Sequence, residues 1–364
     1  MPKFTYKLKK KDIEDPNGPR RPPHVVAGVA GGGSPYGSTT YKRARLCPFE
    51  DALVSVARLR PDRNKEPLDV GWIVHLCWEA YYKVIKNHQD ALGDPPPRAD
   101  SNAWEHYFWG AIPAAERAVL EILTRFEEEP GYGRTIEACT RVINAYMEYY
   151  RRQDTWRILA VEETLVIEQP LARAYTLIDQ DGDKIVYDLW QYSCRLDLLI
   201  EDWKAFEPEL WVVEGKTAKM LSEDLLSGYQ LDMQILGQAW LFENCVDLSK
   251  YAPYKGVIVN IVTKHMQPKC ERLQVCPSRE HLAEFERSTK QWGLSREVNR
   301  ALGHPRSLGS CAGALRGYAK CAYYELCHSR PSWGIADFER NDPPPGFFRD
   351  ERPYQDESDY EDYA

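Results

Sequence analysis

Cys194-Arg-Leu-Asp-Leu-Leu-Ile-Glu-Asp-Trp-Lys-Ala-Phe-Glu-Pro-Glu-Leu-Trp-Val-Val-Glu-Gly-Lys216 holds two apolar runs, 196–200 and 210–213, around a polar interval with Asp202 and Pro208. Runs of this length about a turn-forming interval read as a β-hairpin. Side chains alternate faces along a strand, so Glu214 and Lys216 point the same way. Asp197 lies on the partner strand, within reach of that face. Two carboxylates and a lysine together suit a hard divalent cation beside a positive charge. An E-x-K pair on a strand also reads as a solvated face with a cross-strand ion pair, and the hairpin alone leaves both readings open.

Upstream, residues 158–168 and 184–190 read as strands leading into the hairpin, which sets the sheet core at 158–216. Residues 69–86 read as an amphipathic helix with His75 and Glu79 one turn apart. The two form either a surface pair or, for His75, part of a metal site, since neutral imidazole is a common ligand. Residues 103–128 and 135–152 show apolar positions at helical spacing, with Gly131 and Gly133 between them. His106 reads as structural.

Downstream, residues 222–243 read as one helix capped by Ser222, with Glu223 and Asp224 in its first turn. Gln230, Gln234 and Gln238 recur every fourth residue as a polar stripe, against an apolar face of Leu231, Ile235, Ala239 and Phe242. The stripe has chemical interest where it abuts the hairpin carboxylates. Residues 255–262 read as a strand and 279–296 as a helix capped by Ser278.

The chain's 364 residues, 43% hydrophobic and 28% charged, describe a soluble globular protein with room for one large domain or two ordinary ones. No apolar run is long enough to span a membrane, and the N-terminus lacks the apolar core of a secretion signal. The net charge is −8, of which residues 349–364, with seven acids and two bases, supply −5. A nearly balanced body is compatible with a local basic groove. Ten cysteines without a secretion signal point to a reducing, cytoplasmic compartment and to metal or cluster ligation rather than disulfides. Cys270 and Cys276 lack a local partner pair and read as ordinary cysteines. Cys311, Cys321 and Cys327 fall close together, and three thiols need a fourth to close a tetrahedral metal site or to hold a four-iron cluster. Cys47 is the best candidate.

Cys47-Pro, Gly71-Trp-Ile-Val-His75, Asp197, Glu214-Gly-Lys216, the Gln234 helix and then Cys311, Cys321 and Cys327 occur in an order that resembles the RecB-type nucleases of the PD-(D/E)XK superfamily. The likeness is to the branch with an iron–sulfur cluster, which includes the AddB nuclease domain, CRISPR-adaptation nucleases, the exonuclease V group and many phage exonucleases. It runs from residue 38 to residue 328. It implies an α/β (α+β) fold: a restriction-endonuclease-like core with a mixed central β-sheet flanked by helices, a helical insertion at 100–152, and a cysteine-bound cluster joining the N- and C-terminal segments. The expected organisation is a flexible arm at 1–37, a nuclease domain at 38–330 and a Pro-rich, acidic, disordered tail at 331–364.

The resemblance also implies roles. His75, Asp197, Glu214 and the backbone carbonyl of Gly215 would hold the metal, Mg²⁺ or Mn²⁺ by the hardness of the oxygens. Asp197, Glu214, Lys216 and Gln234 would form the catalytic set. Lys216 would polarise the attacking water or stabilise charge on the phosphate, and Gln234 would orient Lys216 or the phosphate. The sequence departs from the family's Q-x-x-x-Y pattern by placing Gln238 at the tyrosine position. It departs again in the ten-residue step from Cys311 to Cys321. Cys47, Cys311, Cys321 and Cys327 would bind a 4Fe-4S cluster, with Zn²⁺ as the alternative. Tyr41, Lys42, Arg43 and Arg45 would supply a stacking face and phosphate contacts. The expected activity is a metal-dependent DNA exonuclease acting on single strands or DNA ends, in recombination, repair or phage DNA processing of a bacterial, archaeal or phage-infected cell. Any helicase or recombinase partner would be another chain, and the oligomeric state is open. The competing reading is a non-catalytic nucleic-acid-binding module on the same fold.

Overall fold

Leu210, Val212, Val257, Val259 and Ile261 have no exposed surface at all. Such continuous apolar runs mark strands covered on both faces. The computed structural model describes residues 44–61, 66–93, 102–127, 133–151, 153–178, 184–204, 207–307 and 321–349, together with Tyr41 and Gly182. The elements in chain order are α1 (Pro48–Ser55), β1 (Leu59–Pro61), α2 (Glu66–Leu92), α3 (Asn102–Tyr107), a 3-10 turn (Trp109–Ala111), α4 (Ile112–Glu127), α5 (Gly133–Tyr150), β2 (Trp156–Ile178), β3 (Lys184–Asp202) and β4 (Glu209–Ala218). They continue with α6 (Glu223–Tyr229), α7 (Met233–Cys245), a 3-10 turn (Leu248–Lys250), β5 (Tyr254–Thr263), β6 (Cys270–Val275), α8 (Arg279–Leu302), α9 (Tyr324–Ser329), α10 (Ile335–Arg340) and β7 (Phe347–Arg349).

The central sheet is mixed, in the order β2-β3-β4-β5-β6. The hairpin forms as read: β3 and β4 pair antiparallel, with Leu198 opposite Val213. β4 and β5 pair in parallel, with Glu214 beside Val259 and Lys216 beside Ile261. A parallel pair needs a crossover connection, which α6 and α7 supply. β5 and β6 are antiparallel. β1 and β7 form a separate two-stranded sheet.

The described residues divide into two compact units, one drawn from 66–163 and 195–282, the other from 41–61, 164–194, 283–307 and 321–349. The boundaries between the units fall inside β2, β3 and α8, within the span 38–330 expected for the nuclease domain. In the first, α2 buries Val70, Ile73, Val74, Cys77, Trp78 and Tyr81 at helical spacing against Trp211 and Val213 of β4. The helical insertion appears as α3 to α5. In the second unit, Phe49, Leu53 and Leu59 share a core with Tyr323, Leu326 and Phe338.

Several boundaries differ from the sequence reading for identifiable reasons. The strands expected at 184–190 and 196–200 are one strand, β3. The helix expected over 222–243 breaks at Asp232, whose backbone is extended (φ −66, ψ 131) while its side chain accepts from the Gln234 N–H. Gln230 is thereby the C-cap of α6 and leaves the stripe that Gln234 and Gln238 keep. β6 went unread. Within the expected disordered tail, 331–349 is ordered: Phe338 is 1% exposed, and the Arg349 guanidinium donates to the carbonyls of Ala57, Phe338 and Asn341. The arm at 1–37 and residues 350–364 lie outside the described residues. Among the described residues, no helix is long and apolar enough to cross a membrane.

Candidate active site

Within the first unit, β4 delivers Glu214 and Lys216 toward α7. Glu214 is 2% exposed. Its Oε1 accepts from Lys216 Nζ at 2.5 Å and from Gln234 Nε2 at 2.6 Å. Its Oε2 accepts from Gln238 Nε2. Lys216 Nζ also donates to Gln234 Oε1 at 2.8 Å. Gln238 is wholly buried, and its amide donates as well to the Arg195 carbonyl at 3.4 Å. Two amides one turn apart on α7 thus grip one carboxylate, a geometry set by the i, i+4 neighbourhood on a helix.

Asp197 joins this set from β3. The Gly215 N–H donates to its Oδ2 at 2.6 Å, and His75 Nδ1 lies 3.5 Å from the same oxygen. His75 descends from α2, so the surface His75–Glu79 pair does not form; Glu79 pairs with Lys83 at 2.7 Å instead. Trp78 holds the imidazole edge-on, with ring centroids 5.3 Å apart.

Glu162 on β2 is the residue the sequence reading missed. One of its carboxylate oxygens, a His75 ring nitrogen and an Asp197 oxygen lie within 4.8 Å of one another. Its backbone has φ 55, the left-handed region that non-glycine residues seldom adopt. Arg195 Nε pairs with its Oε2. The signal that points to it is Glu162-Glu163 inside an apolar strand: with period two, one of two adjacent acids must face inward. Glu214, expected as a ligand beside Asp197, is not in this trio, because β4 turns it toward α7, where Lys216, Gln234 and Gln238 occupy both its oxygens. Gly215 meets the site through its N–H.

The electrostatics follow from crowding. Burial and then the neighbouring Asp197 push the Glu162 pKa up to about 9, with Arg195 opposing. Burial and then Glu214 push Asp197 up to about 6, against the pull of His75, Lys216 and the Gly215 N–H. Burial works against the charge of Lys216, but Glu214 and Asp197 outweigh it and hold its pKa above the ordinary value. Buried acids that raise one another's pKa form a cluster that added positive charge stabilises. Two carboxylates and an imidazole fit a hard divalent cation such as Mg²⁺ or Mn²⁺. His75, Trp78, Glu162, Asp197, Gly215 and Asn260 line one cleft.

In the second unit, Cys47 and Cys321 share one hydrophobic core, with Cys327 packed against it. The Tyr323 N–H donates to Cys321 Sγ at 3.4 Å. Cys311 lies outside the described residues, as do Lys42 and Arg43. Among the described residues, the His75 trio is the group whose ligand atoms already lie close enough to hold a metal; the three thiols do not. Tyr41, expected as a stacking face for nucleic acid, is 2% exposed. Its hydroxyl donates to the Gln191 carbonyl at 2.7 Å, and its ring stacks on Tyr192. Burial removes it from a surface role. Arg45 is exposed and lies over the Trp292 ring, 5.1 Å from the centroid.

No family model matches the chain, and no curated protein matches it. A solved structure named “Putative exonuclease” from Eubacterium rectale is 11% identical, over 75% of this chain and 84% of that chain, with a TM-score of 0.35. The structure of SSO0001 is 14% identical, over 49% of this chain and 73% of that chain, with a TM-score of 0.23. At these scores neither likeness carries an argument about activity.

Proposed function

We propose that this chain is a divalent-metal-dependent nuclease of the PD-(D/E)XK type that hydrolyses phosphodiester bonds in DNA, at single strands or ends. The observation that carries the reading is the position of Lys216, whose ammonium bridges Glu214 Oε1 and Gln234 Oε1 at 2.5 and 2.8 Å. A solvated, ion-paired strand face does not look like this: Glu214 is buried, fully donated to, and next to carboxylates whose pKa values are driven upward.

His75, Glu162 and Asp197 would hold the cation, which when bound supplies charge neutralisation at the phosphate and an activated water. The chain's own residues do the rest. Lys216, kept protonated by Glu214, presents a fixed positive charge where negative charge develops on the phosphate, a contribution of about 3 kcal/mol for one well-placed donor. Gln234 fixes the direction of that ammonium. Gln238 fixes Glu214.

In the second unit, Cys47 and Cys321 share one hydrophobic core with Cys327 packed against it; the resemblance, not their spacing, makes them with Cys311 the candidate ligands of a 4Fe-4S cluster or Zn²⁺. Visible absorption of protein purified without oxygen separates the two, since thiolate-bound iron is coloured and zinc is not.

The experiment is degradation of end-labelled single- and double-stranded DNA with Mg²⁺, with Mn²⁺ and with chelator, wild type beside Glu214→Ala. Metal-dependent loss in wild type alone is the expected result, and the label position gives the polarity. If both proteins bind DNA and leave it intact, the chain is a binding module and the hairpin carboxylates are structural.

A further inference from the structure

Arg195 is two residues from Asp197 on β3, hence on the same face of the strand. Its Nε pairs with Glu162 Oε2, yet its side chain is 43% exposed while that of Glu162 is 10% exposed. The arginine therefore covers a nearly buried carboxylate while much of its own side chain stays exposed. Glu162 is held there at the cost of a left-handed backbone, φ 55, and such strain is kept where the surrounding structure over-determines a residue at a working site. Ligand atoms of His75 and Asp197 lie within 4.8 Å of an oxygen of the same carboxylate.

Resting on the nuclease reading, we infer that Arg195 is a substrate-phosphate clamp that Glu162 latches until a divalent cation arrives. In the metal-free protein, Arg195 is the positive charge that Glu162 sees. A divalent cation at His75, Glu162 and Asp197 competes with Arg195 for the same carboxylate, and two like charges on one acid repel. Loading the site loosens the Arg195–Glu162 pair. The freed guanidinium stays anchored beside Asp197, and its planar fork matches a phosphate bidentately. Cation and nucleic acid thus bind in order, cation first, and each raises the affinity of the other by the same factor. A single-stranded backbone entering before the cation meets a latched arginine and a cluster of acids.

The test uses wild type, Arg195→Gln and Arg195→Lys, with thermal unfolding of each as a check on folding. Mn²⁺ affinity is measured by calorimetry on protein alone. Affinity for a fluorescent single-stranded oligonucleotide is measured by anisotropy in Ca²⁺ and in chelator. We expect Arg195→Gln to bind Mn²⁺ several-fold more tightly at alkaline pH, where the Glu162 carboxylate is charged and Arg195 is what competes with the cation for it. The same variant should bind the oligonucleotide in Ca²⁺ about tenfold more weakly, the loss of one charge-assisted contact. In chelator the two proteins should bind it equally. Arg195→Lys should keep part of the Ca²⁺-dependent binding, as a point charge without the fork. A purely structural arginine would lower both affinities together, and that result overturns the inference. Unchanged oligonucleotide affinity in Ca²⁺ with normal Mn²⁺ binding also overturns it while leaving the nuclease reading intact. Absence of Mn²⁺ binding in wild type removes the cation site itself, and the clamp with it.

Discussion

The indole of Trp78 covers Gly215 so closely that a methyl group on the glycine would lie 2.6 Å from Trp78 Cε3. The same glycine donates its N–H to Asp197 at 2.6 Å, and Trp78 braces His75. One small residue therefore sets the distance between β4 and α2 at the site. Gly215→Ala forces the indole out of its place, and overpacking of this kind costs about 1–3 kcal/mol. Chemical denaturation should show that loss, with His75 and Asp197 no longer in register and Mn²⁺ affinity reduced. A variant as stable as wild type would mean that Trp78 yields freely.

The hairpin was legible because both apolar runs are bounded by turn residues and their period of two places Glu214 and Lys216 together. Gln234 and Gln238 were legible for the same kind of reason, a period of four on a helix. Glu162 was not. Its contact with His75 and Asp197 depends on how β2 lies against β3 and on one left-handed residue, and neither leaves a periodic trace. The break at Asp232 was hidden because its neighbours continue the helical pattern. Phe338 sits between charged and proline-rich stretches, so a local reading sees only a polar tail; its burial comes from α1, distant in sequence, together with α9 just upstream.

Glu162 gives a pH dependence. Its ordinary pKa of 4.5 is pushed up to about 9, so between those values the folded state binds more protons than the unfolded one. The stability of the metal-free protein therefore falls as pH rises across that window. A cation taking the carboxylate must displace the proton. Cation affinity should accordingly rise with pH, by up to about tenfold per unit for one proton, and level off above the folded pKa. Calorimetry of Mn²⁺ binding near neutral pH, in two buffers of different protonation enthalpy, should report release of about one proton. A pH-independent affinity would take Glu162 out of the ligand set.

Arg272 anchors the wall behind the cleft. Its guanidinium lies between the rings of Tyr150 and Trp156, at 3.5 and 3.8 Å from their centroids, and pairs with Asp154. Burial opposes its charge, but Asp154 outweighs burial and holds its pKa well above the ordinary value. Its Nε donates to Asn260 Oδ1 at 3.3 Å, and Asn260 Nδ2 donates to Tyr146 Oη at 2.7 Å. Arg272→Ala strands Asp154 in the core and should cost about 3–5 kcal/mol. Arg272→Lys should recover little, since lysine has neither the fork nor the planar stack. Joint replacement, Arg272→Met with Asp154→Leu, should be more stable than Arg272→Ala alone, because no charge is left unpaired. Equal stability of the two would mean that the pair contributes nothing beyond packing.

Gln238 separates positioning from chemistry. Its amide reaches Glu214 Oε2 from a wholly buried position, whereas Gln234 and Lys216 share Oε1. Gln238→Leu leaves a buried carboxylate oxygen without its donor, a loss of about 1–3 kcal/mol. The carboxylate then relaxes toward the two donors on its other oxygen and carries Lys216 with it. The expected kinetic signature is a fall in kcat with oligonucleotide affinity unchanged, because Gln238 has no exposed surface from which to touch substrate. Gln238→Tyr, the residue that the resembling nucleases carry there, should fare worse than leucine in stability, since Gln238 is wholly buried and the larger phenol overpacks its place. A rise in KM with kcat preserved would place Gln238 at the substrate, and the assignment of Glu214 to a fixed, amide-held role would fail with it.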